Sequence, residues 1–177
     1  MKKDIFYDTD CLSCFVIIDD VTILKKLFDK VIIPSEVYSE FEKVSRLCRR
    51  VDLLVQENFV EIIDMDLDSE VYELFTSLFH GYHIGKEIGR GEAAAIALAV
   101  KNNGILASNN TKDIITAIKE YNLTRIKTGD ILVKAFNEGF IDEEKGNKIW
   151  AKMLKKNRYL TADSFSDYLE DNPESIF

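Results

Sequence analysis

Short apolar runs alternate with stretches of helical periodicity along most of the chain. Asp4-Ile5-Phe6-Tyr7-Asp8 is short, aromatic and β-branched and reads as a strand. Thr9 or Asp10 then caps a helix with Leu12, Phe15, Val16 and Ile17 at its apolar positions. A second helix covers Val21 to Phe28, with Asp20 as its cap candidate. Lys30-Val31-Ile32-Ile33 is a buried strand stopped by Pro34, and one helix from Pro34-Ser35 runs through Val37, Phe41, Val44 and Leu47. Phe59 to Ile63 is a strand and Ser69 to Phe79 a helix. His80 to Gly91 is a glycine-bearing loop. The alanine-rich segment Glu92 to Val100 carries the strongest helix signal, ended by Gly104. Ile105 to Ala107 and Thr124 to Lys127 are strands on either side of a helix from Thr111 to Glu120. Beyond Gly129 the pattern turns wholly helical, in Ile131 to Asn137, Glu143 to Lys156 and Thr161 to Leu169.

Strand alternating with helix predicts an α/β layered fold with a mostly parallel sheet. The helical tail, about 131–177, is expected to pack on a core of about 4–130. No linker, repeat or low-complexity stretch divides the 177 residues, so a single domain is expected.

Composition narrows the functional classes. With 46% hydrophobic and 31% charged residues, the chain can bury a globular core. Its 23 lysines and arginines face 31 aspartates and glutamates, a net charge of −8. Such a chain is a poor non-specific binder of DNA or anionic membranes, so a polyanion would have to meet a local basic patch or a bound cation. No apolar run approaches the roughly 20 residues of a membrane span. Lys2, Lys3 and Asp4 place polar residues too early for a signal peptide, so a cytoplasmic location without membrane contact is expected. Cys11 and Cys14 have the C-x-x-C spacing of a redox pair or half a zinc site, with His80 and His83 as the only histidines to complete it. The same spacing packs two reduced thiols into a helix's core face, which is the reading adopted.

In parallel sheets, functional groups gather beyond the C-terminal ends of strands. That rule selects Asp8 after the first strand, Glu36 and Glu40 on the helix after the second, and Ser108-Asn109-Asn110 after Ile105 to Ala107. Glu92 opens the helix that feeds this last strand. Each has a structural alternative: Asp8 as a helix cap, Glu40 as a solvated charge, Glu92 as a first-turn acid favoured by the helix dipole, Ser108 to Asn110 as a turn. Together, three carboxylates at one sheet edge would repel one another unless a hard divalent cation neutralised them.

These residues stand in recognisable motifs. Tyr7-Asp8-Thr9-Asp10-Cys11-Leu12-Ser13 resembles the opening motif of PIN-domain nucleases, and Pro34 to Phe41 resembles their second, with Glu40 at the functional position. Gly89-Arg90-Gly91-Glu92 and the alanines after it are similar to the third motif in PIN branches that use Gly-Glu, as in VapC-like toxins. Leu106 to Asn110 resembles the fourth. The resemblance runs from about Asp4 to Asp130. It implies a three-layer α/β/α fold and a Mg²⁺- or Mn²⁺-dependent ribonuclease acting on single-stranded RNA, with cleavage leaving a 3′-hydroxyl and a 5′-phosphate. It also implies the toxin of a toxin–antitoxin pair, a homodimer, and an antitoxin that enters the active-site groove. By carry-over, Asp8 and Glu92 are metal ligands, Glu40 acts on the metal or its water, and Thr9, Ser108 and Asn109 are supporting polar groups.

One departure stands out. The fourth acidic position holds Asn110, or Asn109 one register away, and an amide oxygen brings no charge to a cation. Asp113, three residues on, restores that charge or faces water as a first-turn acid; Asp10 and Asp130 are further reserves. RNA phosphates have Arg46, Arg49 and Arg50 as a basic cluster, or Lys152, Lys155, Lys156 and Arg158 near the tail, with Tyr82 or Tyr159 for stacking. The asparagine and the negative charge motivate an alternative, a weakened or inactive PIN-like module that binds a protein or RNA partner.

Overall fold

The structure, a computed structural model, describes residues 3–82 and 85–174. Five parallel strands form one sheet in the order β3-β2-β1-β4-β5. They are β1 (Ile5–Tyr7), β2 (Val31–Pro34), β3 (Val60–Ile63), β4 (Ile105–Ala107) and β5 (Thr124–Ile126). Strand alternation sorts the core into two layers. Ile5, Tyr7, Val31, Ile33 and Ala107 point to one face, and Phe6, Ile32 and Leu106 to the other.

The first face is covered by α1 (Thr9–Ile17), α2 (Thr22–Leu27), α3 (Ser35–Glu42) and α4 (Ser45–Gln56). The second is covered by α5 (Glu70–Phe79), α6 (Arg90–Lys101) and α7 (Ile115–Glu120). This is the three-layer α/β/α arrangement. Helix α6 is buried from Ala93 to Ala99, because its alanines leave room for α3, α5 and β1 to approach. The tail forms α8 (Thr128–Asn137), α9 (Glu143–Lys155) and α10 (Phe165–Asp171). Trp150, Phe165 and Tyr168 of the tail share the core of the first face with Tyr7 and Phe15. Gly146 makes this packing feasible, since a Cβ there would lie 2.2 Å from the Phe165 ring.

Three helices depart most from the sequence expectation. The helix expected from Pro34-Ser35 through Leu47 is two helices. Val44 leaves helical geometry (φ −126°, ψ 88°), which redirects α4 so that Leu47, Val51 and Leu54 are buried. The helix expected from Thr111 starts only at Ile115, because the side-chain oxygen of Asn110 accepts the Asp113 N–H at 3.2 Å and holds a turn there. The last helix begins at Phe165, capped by Ser164, whose hydroxyl oxygen accepts the Asp167 N–H at 3.1 Å.

Candidate active site

The chain builds β1, β2 and β3 outward, then returns to add β4 on the other side of β1. The connections after β1 and β4 therefore leave toward opposite faces and open a crevice at their C-terminal ends. Asp8 leaves β1 with its N–H bonded to the Ala107 carbonyl at 3.0 Å. Ser108 leaves β4 next door. Four carboxylates from three segments converge here: the β1–α1 junction, α3 and α6. Asp8, Asp10, Glu40 and Glu92, with Thr9 and Gly89, line a hollow of about 150 Å³.

Each acid is held by a distinct local device. Asp8 Oδ1 accepts the Cys11 N–H at 2.8 Å, so Asp8 caps α1 while it lines the hollow. The cap and the functional reading are one arrangement, and neither Thr9 nor Asp10 is the cap. Asp8 is 3% exposed. Burial pushes its pKa up to about 7, helped by Asp10 and Glu40 and opposed by hydrogen bonds from Ser108 and the Cys11 N–H. Glu92 stands in the first turn of α6. Ser108 Oγ donates to its Oε1 at 3.3 Å and Asn110 Nδ2 to its Oε2 at 3.1 Å. Burial first, and the charge of Asp8 second, raise Glu92 to about 8. Glu40 reaches in from α3. Thr9 Oγ1 donates to its Oε2, and the Gly91 N–H donates to its Oε1 at 3.1 Å.

Asp10, by sequence a reserve acid, lines the hollow. Its pKa is raised by burial and by Glu40, against the opposing charge of Arg158. The signal lies in the sequence: with Asp8 as the cap of α1, Asp10 falls in the first turn of that helix.

Other expected site residues are placed differently. Asn110 turns its amide hydrogens to Glu92 and to Asp113 Oδ2 (3.0 Å), and its oxygen is taken by the Asp113 N–H. Asp113 pairs with Lys86, which holds its pKa low. Neither residue lines the hollow. Asn109 is buried and ties elements together, donating to Cys14 Sγ at 3.4 Å and accepting the Thr128 N–H at 2.9 Å. Asp130 accepts the Lys127 N–H and the Tyr168 hydroxyl, each at 2.7 Å, as a first-turn residue of α8. Of the arginine cluster, Arg50 bonds the Val16 and Ile17 carbonyls at the end of α1 and pairs with Asp19. Arg46 and Arg49 are exposed on α4, and none of the three lines the hollow.

Cys11 and Cys14 are buried free thiols, raised by burial, Cys14 to about 11. They pack beside Thr128 and Asn109. His80 stacks on Tyr82 at the end of α5, and His83 lies outside the described residues. Among the described residues, no three His, Cys, Asp or Glu side chains are placed close enough together to hold a metal ion. The acids face one another across the hollow instead.

Comparison with known families decides the class. A family model described as a PIN domain (DUF3368) matches residues 4–174. The chain belongs to the PIN-domain family. Two solved structures share the PIN fold with it. VapBC2 from Rickettsia felis, bound to a DNA fragment from its promoter, superposes with a TM-score of 0.51 at 18% identity, covering 70% of this chain and 97% of that one. VapBC-1 from nontypeable Haemophilus influenzae gives 0.52 at 14%, covering 70% and 97%. No curated protein matches significantly. Among the described residues of this PIN domain, no helix is long and apolar enough to cross a membrane.

Proposed function

We propose that this PIN domain is a Mg²⁺- or Mn²⁺-dependent ribonuclease that hydrolyses single-stranded RNA. The reading rests on one observation: Asp8, Asp10, Glu40 and Glu92 face a single hollow at the sheet's switch point, with two of them pushed to about 7 and about 8. Buried acids that repel one another are costly in that state, and a divalent cation relieves the repulsion. The donor set is oxygen only, which suits a hard cation, and Mg²⁺ keeps several of its waters, so not every carboxylate need touch it. Asp8 and Glu92 would hold the ion, with Glu40 and Asp10 on its waters. When bound, the metal offsets charge on the phosphodiester and lowers the pKa of a coordinated water.

The chain's own residues do the positioning. Thr9 and the Gly91 N–H fix Glu40, so its carboxylate is pre-aimed as an acceptor for a proton from the attacking water. Ser108 and Asn110 hold Glu92 in the same way. The motif resemblance to the Gly-Glu branch of VapC-like toxins further supports a toxin role, an antitoxin partner, a homodimer and a cytoplasmic setting.

A second reading, a PIN module that binds without cleaving, is favoured by Asn110 in the fourth acidic position. A time course with purified protein, single-stranded RNA and Mn²⁺ separates the two. The expected result is metal-dependent cleavage that falls at least roughly 10- to 100-fold in Glu40→Gln. Intact RNA, or cleavage indifferent to that substitution, favours the binding module.

A further inference from the structure

Next to the carboxylate hollow lies a larger depression of about 460 Å³, lined by Asp10, Asn110, Thr111, Lys112, Asp113 and Tyr159. Asp10 lines both, so the two lie on either side of one side chain. One wall is the β4–α7 connection and the other the α9–α10 connection.

The second wall holds one aromatic ring outward. Asn157 takes a left-handed backbone (φ 57°), which turns the chain sharply off the end of α9. The Arg158 N–H then donates to the Met153 carbonyl at 3.1 Å, and its guanidinium donates to Ser13 Oγ of α1 at 3.1 Å. The residue before Tyr159 is thus pinned to two helices. Tyr159 itself is 71% exposed and makes no hydrogen bond among the described residues. Leaving a large aromatic in water on an anchored turn suits a binding face better than a packing role. Across the depression, Lys112 is exposed and has no ion pair among the described residues.

We propose that this depression seats the unpaired nucleotide adjacent to the scissile phosphate, with its base stacked on Tyr159 and its phosphate met by Lys112. The proposal deepens the ribonuclease reading and rests on it, because the neighbouring hollow would hold the bond that is cut. Every base offers a π-face, so stacking on a tyrosine is tolerant of sequence. A lysine meets a phosphate as a point charge. A chain of net charge −8 needs such a local cation to hold a polyanion. The volume is that of a small-ligand site. A peptide partner would call for an apolar groove or a free strand edge, whereas this depression offers one ring among charged and polar groups.

The test uses the full chain and a labelled eight-nucleotide single-stranded RNA. Binding is read by fluorescence anisotropy in EDTA, and cleavage is read separately in Mn²⁺. Tyr159→Ala is expected to raise Kd and KM about ten-fold, and Tyr159→Phe to restore both to within about two-fold. A single abasic nucleotide at one position should cost the wild type the same factor and cost Tyr159→Ala little more. RNA binding with this tyrosine dependence but no cleavage would sink the ribonuclease reading and, with it, the scissile-phosphate placement, leaving Tyr159 as a base-stacking site alone. Cleavage with Kd and KM unchanged in Tyr159→Ala overturns the subsite and leaves the enzyme. Failure of the wild type to bind RNA, with KM indifferent to Tyr159, overturns the subsite too. Loss of a co-purifying protein from Tyr159→Ala at unchanged RNA affinity gives the depression to a protein and also overturns it.

Discussion

The Gly91 N–H donates to Glu40 Oε1 at 3.1 Å, and a Cβ on Gly91 would lie 2.7 Å from that same oxygen. The glycine is therefore where α6 meets the α3 carboxylate, and its missing side chain is what permits the contact. Gly91→Ala should displace Glu40 at little cost to the fold. The clashing atom is the end of a flexible side chain, and alanine favours a helix by roughly 0.5–1 kcal/mol over glycine. Expected are a stability within about 1 kcal/mol of wild type and a drop of roughly 10- to 100-fold in Mn²⁺-dependent cleavage. Denaturant melts and RNA time courses check both, and undiminished cleavage would show that Glu40 needs no such support.

Stability of the metal-free protein should fall as pH rises. Asp8 and Glu92 titrate at about 7 and about 8 in the folded chain, above the ordinary carboxylate value near 4. A group whose folded pKa is raised gives its full stability below the unfolded pKa and loses it as pH climbs through the folded one. Between pH 5 and pH 8.5, unfolding free energy in EDTA should drop by on the order of a few kcal/mol, and Mn²⁺ should flatten the slope. Urea melts at the two pH values decide it; greater stability at pH 8.5 without metal would contradict the shared burial of the two acids.

Function and stability should part company at Glu92. Glu92→Gln removes a charge that Asp8 opposes, so at pH 8 in EDTA the variant should be more stable by roughly 1–2 kcal/mol. Its Mn²⁺ affinity, read by calorimetry, should fall about 10-fold or more. A variant that is less stable at pH 8 would mean that Glu92 is structural.

The fourth position offers the converse. Asn110→Asp replaces the amide that donates to Glu92 and Asp113 with a third carboxylate beside them. In EDTA the melting temperature should fall, and in Mn²⁺ the affinity should rise several-fold, since affinity follows ligand charge. Calorimetry that shows no gain in Mn²⁺ affinity would place residue 110 outside the ion's reach.

The helical tail should melt with the sheet. Gly146→Ala drives a Cβ to 2.2 Å from the Phe165 ring, which packs against Trp150 in the core shared with Tyr7. Overpacking of this kind costs roughly 1–3 kcal/mol. Both near-UV and far-UV dichroism should move to a lower midpoint in one transition; a tail that melts alone would separate it from the core.

Much of this protein was determined locally. Runs such as Val31 to Ile33 and the alanines from Ala93 to Ala99 specify strand and helix by periodicity and propensity, quantities that neighbours in the chain suffice to set. The acids of the motifs were visible in the same way. Other features depended on contacts between distant segments. Whether Arg50 reaches solvent or the end of α1, whether Asn110 offers oxygen or hydrogen, and whether Asp10 joins the hollow are settled by residues far away in the sequence. The break at Val44 is of the same kind, because burial of Leu47 and Val51 outweighs the continuous helical pattern. Local caps such as Asp8 on the Cys11 N–H lie within reach of neighbouring residues, but hydrogen bonds and burial between distant segments arise only when the chain closes on itself.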